Sequence, residues 1–220
     1  MKLEKVIFDL DGTLYRFHSE RAISFGQSQF YADLRQRIIA FLGAHLGVDD
    51  QTATGMLEAV NTEYDGELSI GFERRYGIDR HIYYAATWAC EPADYVPLHP
   101  DLSAEMAPFA GRALLLTAAP RIWALRVLDH LGLRDVFGDL IITGEPDLRK
   151  PDPAVFALAA ERLGIDPAQI ISVGDQNHSD ILPAKALGMT TVLIGPDQLD
   201  ADHRATNLQA AITLIKEKLQ

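Results

Sequence analysis

Five short apolar runs, at residues 5–10, 112–117, 139–143, 169–174 and 190–195, leave this chain few ways to fold. Each is continuous rather than alternating, which is the pattern of a strand buried on both faces of a parallel sheet. Helical patterns separate the later runs. Residues 120–131 carry Ile122, Leu125, Val127 and Leu128 and are followed by Gly132. Residues 153–163 open with Pro153 in the first turn and stop at Gly164, and 179–187 stop at Gly188. The tail, 205–219, sets Leu208, Ala211, Ile212, Ile215 and Leu219 on one face. Strands alternating with helices predict an α/β protein with a doubly wound parallel sheet.

Residues 17–95 break that alternation. Leu34, Ile38, Phe41, Leu42 and His45 follow helical spacing and Gly47 closes that helix. Met56, Leu57, Val60 and Tyr64 suggest a second helix, and residues 78–89 a third. Pro92, Pro97 and Pro100 mark the return to the core. The expected organisation is an α/β core made of 1–16 and 96–220, with an α-helical cap of 17–95 inserted after the first strand.

A chain of 220 residues, 48% hydrophobic and 23% charged, can bury a sizeable core without disulfides. Its net charge of −11, with no basic run, argues against a nucleic-acid polymer or an anionic membrane as partner. No stretch approaches the roughly 20 apolar residues of a membrane span. Asp9 stands where a signal peptide needs apolar residues, and Cys90 is the sole cysteine, so a cytoplasmic location is expected. An acidic chain that handles an anionic ligand must supply positive potential locally, from a metal, a lysine or backbone NH groups.

In an open parallel sheet the ligand sits beyond the carboxyl ends of the strands. Those ends offer Asp9 and Asp11, then Thr117, then Arg149 and Lys150, then Asp175 and Asp180. Phosphoryl transfer needs such a set. A carboxylate can attack phosphorus and divide one hard step into two. Mg²⁺ takes a few carboxylate oxygens together with waters and a substrate oxygen. A lysine and NH groups hold the remaining phosphoryl oxygens, and a second acid exchanges protons with the leaving group and water. Asp9 and Asp11, two apart on a strand, are expected to face the same way, with Gly12 freeing the backbone beyond them. Thr117 precedes a helix starting near Pro120, whose NH groups form an anion site. Simpler roles compete: Asp-x-Asp-Gly is also a turn pattern, Thr117 also suits a helix cap, and Asp180 also suits a helix N-terminus.

The segments Asp9-Leu-Asp-Gly-Thr-Leu, Thr117, Lys150-Pro-Asp-Pro, Val173-Gly-Asp-Gln-Asn-His-Ser-Asp180 and Ala184-Lys-Ala-Leu-Gly-Met189 together resemble the haloacid dehalogenase-like hydrolase superfamily, in its order and in its helical-cap form. The resemblance implies that Asp9 is nucleophile and metal ligand. It implies that Asp11 is the acid/base and binds metal through its backbone carbonyl. Thr117 and Lys150 would hold the phosphoryl group, Asp175 would bind Mg²⁺, and Asp180 would be a ligand or its partner. The expected activity is Mg²⁺-dependent hydrolysis of a small-molecule phosphate ester through an aspartyl phosphate, by a monomer or homodimer.

Two positions depart from the family pattern. Ala118 stands where Asn is frequent, which leaves only its NH for phosphate, and Gln176 stands where Ser is common. A narrower resemblance, to pyrimidine 5′-nucleotidases, rests on Gly12-Thr-Leu-Tyr15, Ile78-Asp79-Arg-His-Ile-Tyr83 and Val96-Pro-Leu-His-Pro-Asp101. Phe17, His18 and Trp88 are candidates for substrate contact, while Tyr83 and Tyr84 read as cap core. His18, His81, His99, His178 and His203 have no ligand spacing. A phosphoglucomutase-like phosphotransferase, a 2-haloacid dehalogenase and a non-catalytic binding protein are alternatives on the same fold.

Overall fold

The computed structural model describes residues 2–17, 25–196 and 199–219. In chain order its regular elements are β1 (Lys5–Phe8), α1 (Gln29–Leu46), α2 (Asp50–Glu63), α3 (Leu68–Tyr76), α4 (Arg80–Thr87), α5 (Leu102–Met106), β2 (Ala113–Leu116), α6 (Arg121–His130), α7 (Arg134–Phe137), β3 (Ile141–Ile142), α8 (Pro153–Leu163), β4 (Ile170–Gly174), α9 (Leu182–Ala186), β5 (Thr190–Ile194), β6 (His203–Ala205) and α10 (Leu208–Lys218). They fall into two compact units, one from Met1–Ala22 with Pro92–Gln220 and the other from Ile23–Glu91.

The first unit is built on a six-stranded sheet, ordered β3-β2-β1-β4-β5-β6 and parallel throughout. Every residue of β2 and β4 is buried, as the continuous apolar runs require. One side of the core joins Ile7, Leu114, Leu116 and Ile170 of the strands to Val155, Phe156, Ala159 and Ala160 of α8. Asp152 starts α8 by accepting from the NH of Ala154 at 2.8 Å, and Pro153 fills the first turn.

Three elements differ from the sequence expectation. The tail holds a sixth strand, β6, before its helix, and α10 begins only at Leu208, capped by Asn207. Of β6 only Ala205 is buried, so the strand has no apolar run to announce it. Asp202 fixes it by accepting from the NH and hydroxyl of Thr191, at 2.9 and 2.8 Å. The expected helix over 179–187 is a π-helical turn, Asn177–Ile181, running into the short α9. In the second unit α3 had no visible pattern, because it buries Ser69 and Gly71 beside Phe72. A side chain on Gly71 would collide with Val60 and Tyr64 of α2, so the small residue is what lets α3 pack there.

The second unit is helical. Phe30, Leu34, Ile38 and Leu42 of α1 form its core with Leu57, Val60, Phe72, Tyr83 and Tyr84. Ser28, Asp49 and Asp79 cap α1, α2 and α4 through their side chains. Among the described residues, no helix is long and apolar enough to cross a membrane.

Candidate active site

Sheet register brings the motif residues to one edge. β1 lies between β2 and β4, with Phe8 opposite Leu115 on one side and Val173 on the other. Asp9, Thr117 and Asp175 therefore leave neighbouring strands at the same end. The chain winds from β1 to β2 and β3 and then crosses to β4, so β1 and β4 flank the point where strand order reverses, the usual ligand crevice of such sheets.

Asp9 is held to β4 by its NH, which donates to the carbonyl of Val173 at 2.9 Å. Lys150 Nζ donates to Asp9 Oδ1 at 2.7 Å and to Asp180 Oδ1 at 2.6 Å. The NH of Gln176 donates to Asp180 Oδ2 at 2.9 Å, so both Asp180 oxygens already have partners. The π-helical turn carries Asp180 back toward Lys150, a use of this irregular helix that recurs at functional sites. Lys150, Asp9 and Asp180 are all buried.

One carboxylate oxygen from each of Asp9, Asp175 and Asp180 lies within 4.8 Å of the others. Burial pushes the Asp9 carboxyl up to about 7 against the pull of Lys150. Burial, then the charges of Asp9 and Asp180, push Asp175 up to about 8. Burial alone would lower Lys150, but Asp180 and Asp9 outweigh it and hold the ammonium form. Two buried acids, Asp9 and Asp180, thus share one cation, with the half-buried Asp175 beside them. Asp9 Oδ2 and Asp175 Oδ1 are buried with no hydrogen-bond partner among the described residues. Hard oxygen donors in excess negative charge, two of them unsatisfied, fit a Mg²⁺-like cation. Glycines make room for this crowding. A Cβ on Gly12, whose φ is +90°, would overlap the Asp175 carboxylate, and one on Gly174 would overlap that of Asp180.

Asp11 lies beyond the strand on which it was expected to sit with Asp9, and it has partners of its own. β1 ends at Phe8, and beyond it the chain turns: the NH of Leu14 donates to Leu10 at 2.9 Å and that of Gly12 to Tyr15 at 3.0 Å. Asp11 Oδ1 accepts from the Tyr15 hydroxyl and, at 2.9 Å, from Trp123 Nε1. Burial raises the Asp11 carboxyl, opposed by the hydrogen bonds from Tyr15 and Trp123 and by the charge of Lys150. Burial, with Asp11 beside it, holds the Tyr15 phenol neutral. Sequence reading missed Tyr15 and Trp123. The available signal was that buried Tyr and Trp seek partners for their polar atoms.

Thr117 is buried, and its hydroxyl accepts from the NH of Ala119 at 3.0 Å. It shapes the turn rather than capping α6, whose N-cap is Pro120. Ala118 is exposed at the tip of that turn. The turn is tied to the loop after β3: the NH of Gly144 donates to Ala119 at 2.9 Å, and Arg149 Nη1 donates to the Gly144 carbonyl at 2.9 Å. Of the substrate-contact candidates, Phe17 is buried with its ring edge-to-face on Tyr15, 5.1 Å between centroids. Trp88 belongs to the second unit, stacked with Phe25 at 6.4 Å. His18 lies outside the described residues. His81, His99 and His178 are exposed.

The family model described as haloacid dehalogenase-like hydrolase matches residues 4–188. A glyceraldehyde 3-phosphate phosphatase of Methanopyrus kandleri is 28% identical over 205 residues, 87% of this chain and 84% of that protein. A pyrimidine 5′-nucleotidase of Escherichia coli is 25% identical over 218 residues, 93% of this chain and 89% of that protein. Among solved structures, an HAD phosphatase from Thermococcus onnurineus superposes with a TM-score of 0.64 at 24% identity, covering 97% of this chain and 98% of that one, a likeness of fold.

Proposed function

The chain belongs to the haloacid dehalogenase-like hydrolase family, and from that premise we propose that it is a Mg²⁺-dependent phosphatase of small phosphomonoesters with Asp9 as nucleophile. The observation that carries this reading is the unsatisfied Asp9 Oδ2, buried beside Lys150 and Asp175 at the carboxyl ends of β1 and β4. Asp9 Oδ2 attacks phosphorus as the ester P–O bond breaks. The electron pair goes to the leaving oxygen, which takes a proton from Asp11. Water then attacks the aspartyl phosphate, Asp11 takes the proton back, and phosphate leaves Asp9 free again. Lys150, the Thr117 hydroxyl and the NH of Ala118 hold phosphoryl oxygens. Asp9 and Asp175, with the Asp11 backbone carbonyl, would hold Mg²⁺, and Asp180 keeps Lys150 in place. When bound, the ion neutralises phosphoryl charge so that an anion can approach an anion.

In the proposal the unit built on the sheet carries the chemistry. Phosphatase and nucleotidase relatives support a small, soluble ester as substrate. Cys90 is the sole cysteine, so no disulfide can form within the chain, which is in keeping with a cytoplasmic setting.

A panel of glyceraldehyde 3-phosphate, sugar phosphates and nucleoside 5′-monophosphates, assayed with Mg²⁺ and with EDTA, tests the reading. Wild type should release phosphate only with Mg²⁺, and oxygen-18 from labelled water should enter that phosphate, which transfer to a second sugar would not give. Asp9→Asn should be inactive. Full activity in that variant would remove the nucleophile. Halide release without metal would point to dehalogenation instead.

A further inference from the structure

Asp11 receives two hydrogen bonds at a single oxygen, from donors that reach it on different elements. Tyr15 comes from the turn after β1, because the fold-back that bonds Gly12 to Tyr15 returns the fourth residue onward to face Asp11. Trp123 comes from the first turn of α6. Both rings are buried, at 6% and 0% exposure, and both are braced: Tyr15 edge-on against Phe17, and Trp123 edge-on against Tyr95 at 6.5 Å. One partner would satisfy a carboxyl oxygen. Two rigid donors converging on the same oxygen also fix the rotation of the group.

Chemistry decides which oxygen is left to work. An indole NH can only donate, and with the Tyr15 hydroxyl donating as well both lone pairs of Oδ1 are taken, so a proton on Asp11 sits on Oδ2. We propose that Tyr15 and Trp123 are positioning residues that lock Asp11 Oδ1 and so present Oδ2 as the oxygen exchanging a proton with the leaving group. This rests on the reading of Asp11 as the acid/base. In the step concerned, the Asp9 Oδ2–P bond forms, the ester P–O bond breaks, and the departing oxygen takes its electron pair and the proton from Asp11 Oδ2. Misaiming Oδ2 harms leaving groups that need that proton and spares those that leave as stable anions.

The test compares Tyr15→Phe and Trp123→Phe with wild type on two esters. One is the alkyl ester of the panel that wild type hydrolyses fastest; the other is p-nitrophenyl phosphate, whose leaving group departs without protonation. kcat/KM, which covers the steps through leaving-group departure, is measured for each with saturating Mg²⁺. General acid catalysis is worth ~10²–10⁴-fold, so loss of aim should lower kcat/KM on the alkyl ester about tenfold, through kcat with KM held. The aryl ester should change by less than about twofold. Equal losses on both esters, or no loss on either, would overturn the proposal. Tyr15→Phe removes one oxygen only, and it decides alone if Trp123→Phe lacks the far-UV dichroism of the folded protein. Wild type and Asp9→Asn run alongside. Inactive wild type overturns the acid/base reading together with this one, whereas an active wild type, an inactive Asp9→Asn and an unchanged ester ratio overturn the positioning roles alone.

Discussion

Asp175→Asn should make the metal-free protein more stable while abolishing its response to Mg²⁺. The Asp175 carboxyl is held up to about 8, from 3.8, by burial and then by Asp9 and Asp180. Between these values the folded protein keeps a proton that the unfolded chain has released. Stability from this group is therefore complete below the unfolded value and is lost as pH rises through the folded one. At pH 7 the gap is 7 − 3.8 = 3.2 pH units, which at ~1.4 kcal/mol per unit is about 4 kcal/mol against folding. Asp175 is partly exposed and Asp9 shares the strain, so about 2–4 kcal/mol is expected. Asn carries no charge, and Oδ1 has no hydrogen bond to lose. Urea unfolding in EDTA should place the variant above wild type at pH 7, with the gap shrinking toward pH 5. Adding Mg²⁺ should reverse the ranking, because only wild type gains from the ion. A variant no more stable than wild type at pH 7 in EDTA, or a gap indifferent to pH, would refute the reasoning.

Lys150→Met leaves Asp9 and Asp180 buried without their shared ammonium, so urea unfolding at pH 7 should show a loss of about 3–5 kcal/mol; a loss below ~1 kcal/mol would mean the pairing is not what holds this corner. Gly12→Ala places a Cβ on the Asp175 carboxylate and a side chain at φ +90°. It should cost about 1–2 kcal/mol of stability and raise the Mg²⁺ needed for half-maximal thermal stabilisation at least about tenfold, and an unchanged Mg²⁺ titration would contradict the crowding argument.

What the sequence made legible follows from where the signal lies. β2 and β4 are buried on both faces, so their composition alone announced them, and the parallel order then fixed which motif ends meet. Lys150 and Asp9 lie far apart in sequence, yet their meeting was readable because Asp9 follows β1 and Lys150 lies in the loop that follows β3. β6 and α3 were not readable: one is held by the Asp202–Thr191 hydrogen bonds, the other by small residues, and neither carries an apolar period. The two donors to Asp11 were hidden for another reason. Strand geometry suggested that Asp9 and Asp11 point together, but the sheet ends first, and only the turn at Gly12 decides what Asp11 meets.

That turn separates two carboxyls, two residues apart, into environments of different kinds. Asp9 has a lysine on one oxygen, two acids nearby and its second oxygen unsatisfied. Asp11 has neutral aromatic donors and, among the described residues, no direct bond from a cation. Under the proposed reading this is a division of roles by surroundings: a carboxyl paired with Lys150 for attack, and a carboxyl among neutral donors where it can hold or release a proton. Asp175 completes the arrangement at a cost to the metal-free fold, since burial and then the charges of Asp9 and Asp180 oppose its ionisation. The same electrostatics that should make Asp175→Asn stabilising therefore also select for the ion, because binding relieves a penalty that the folded protein already carries.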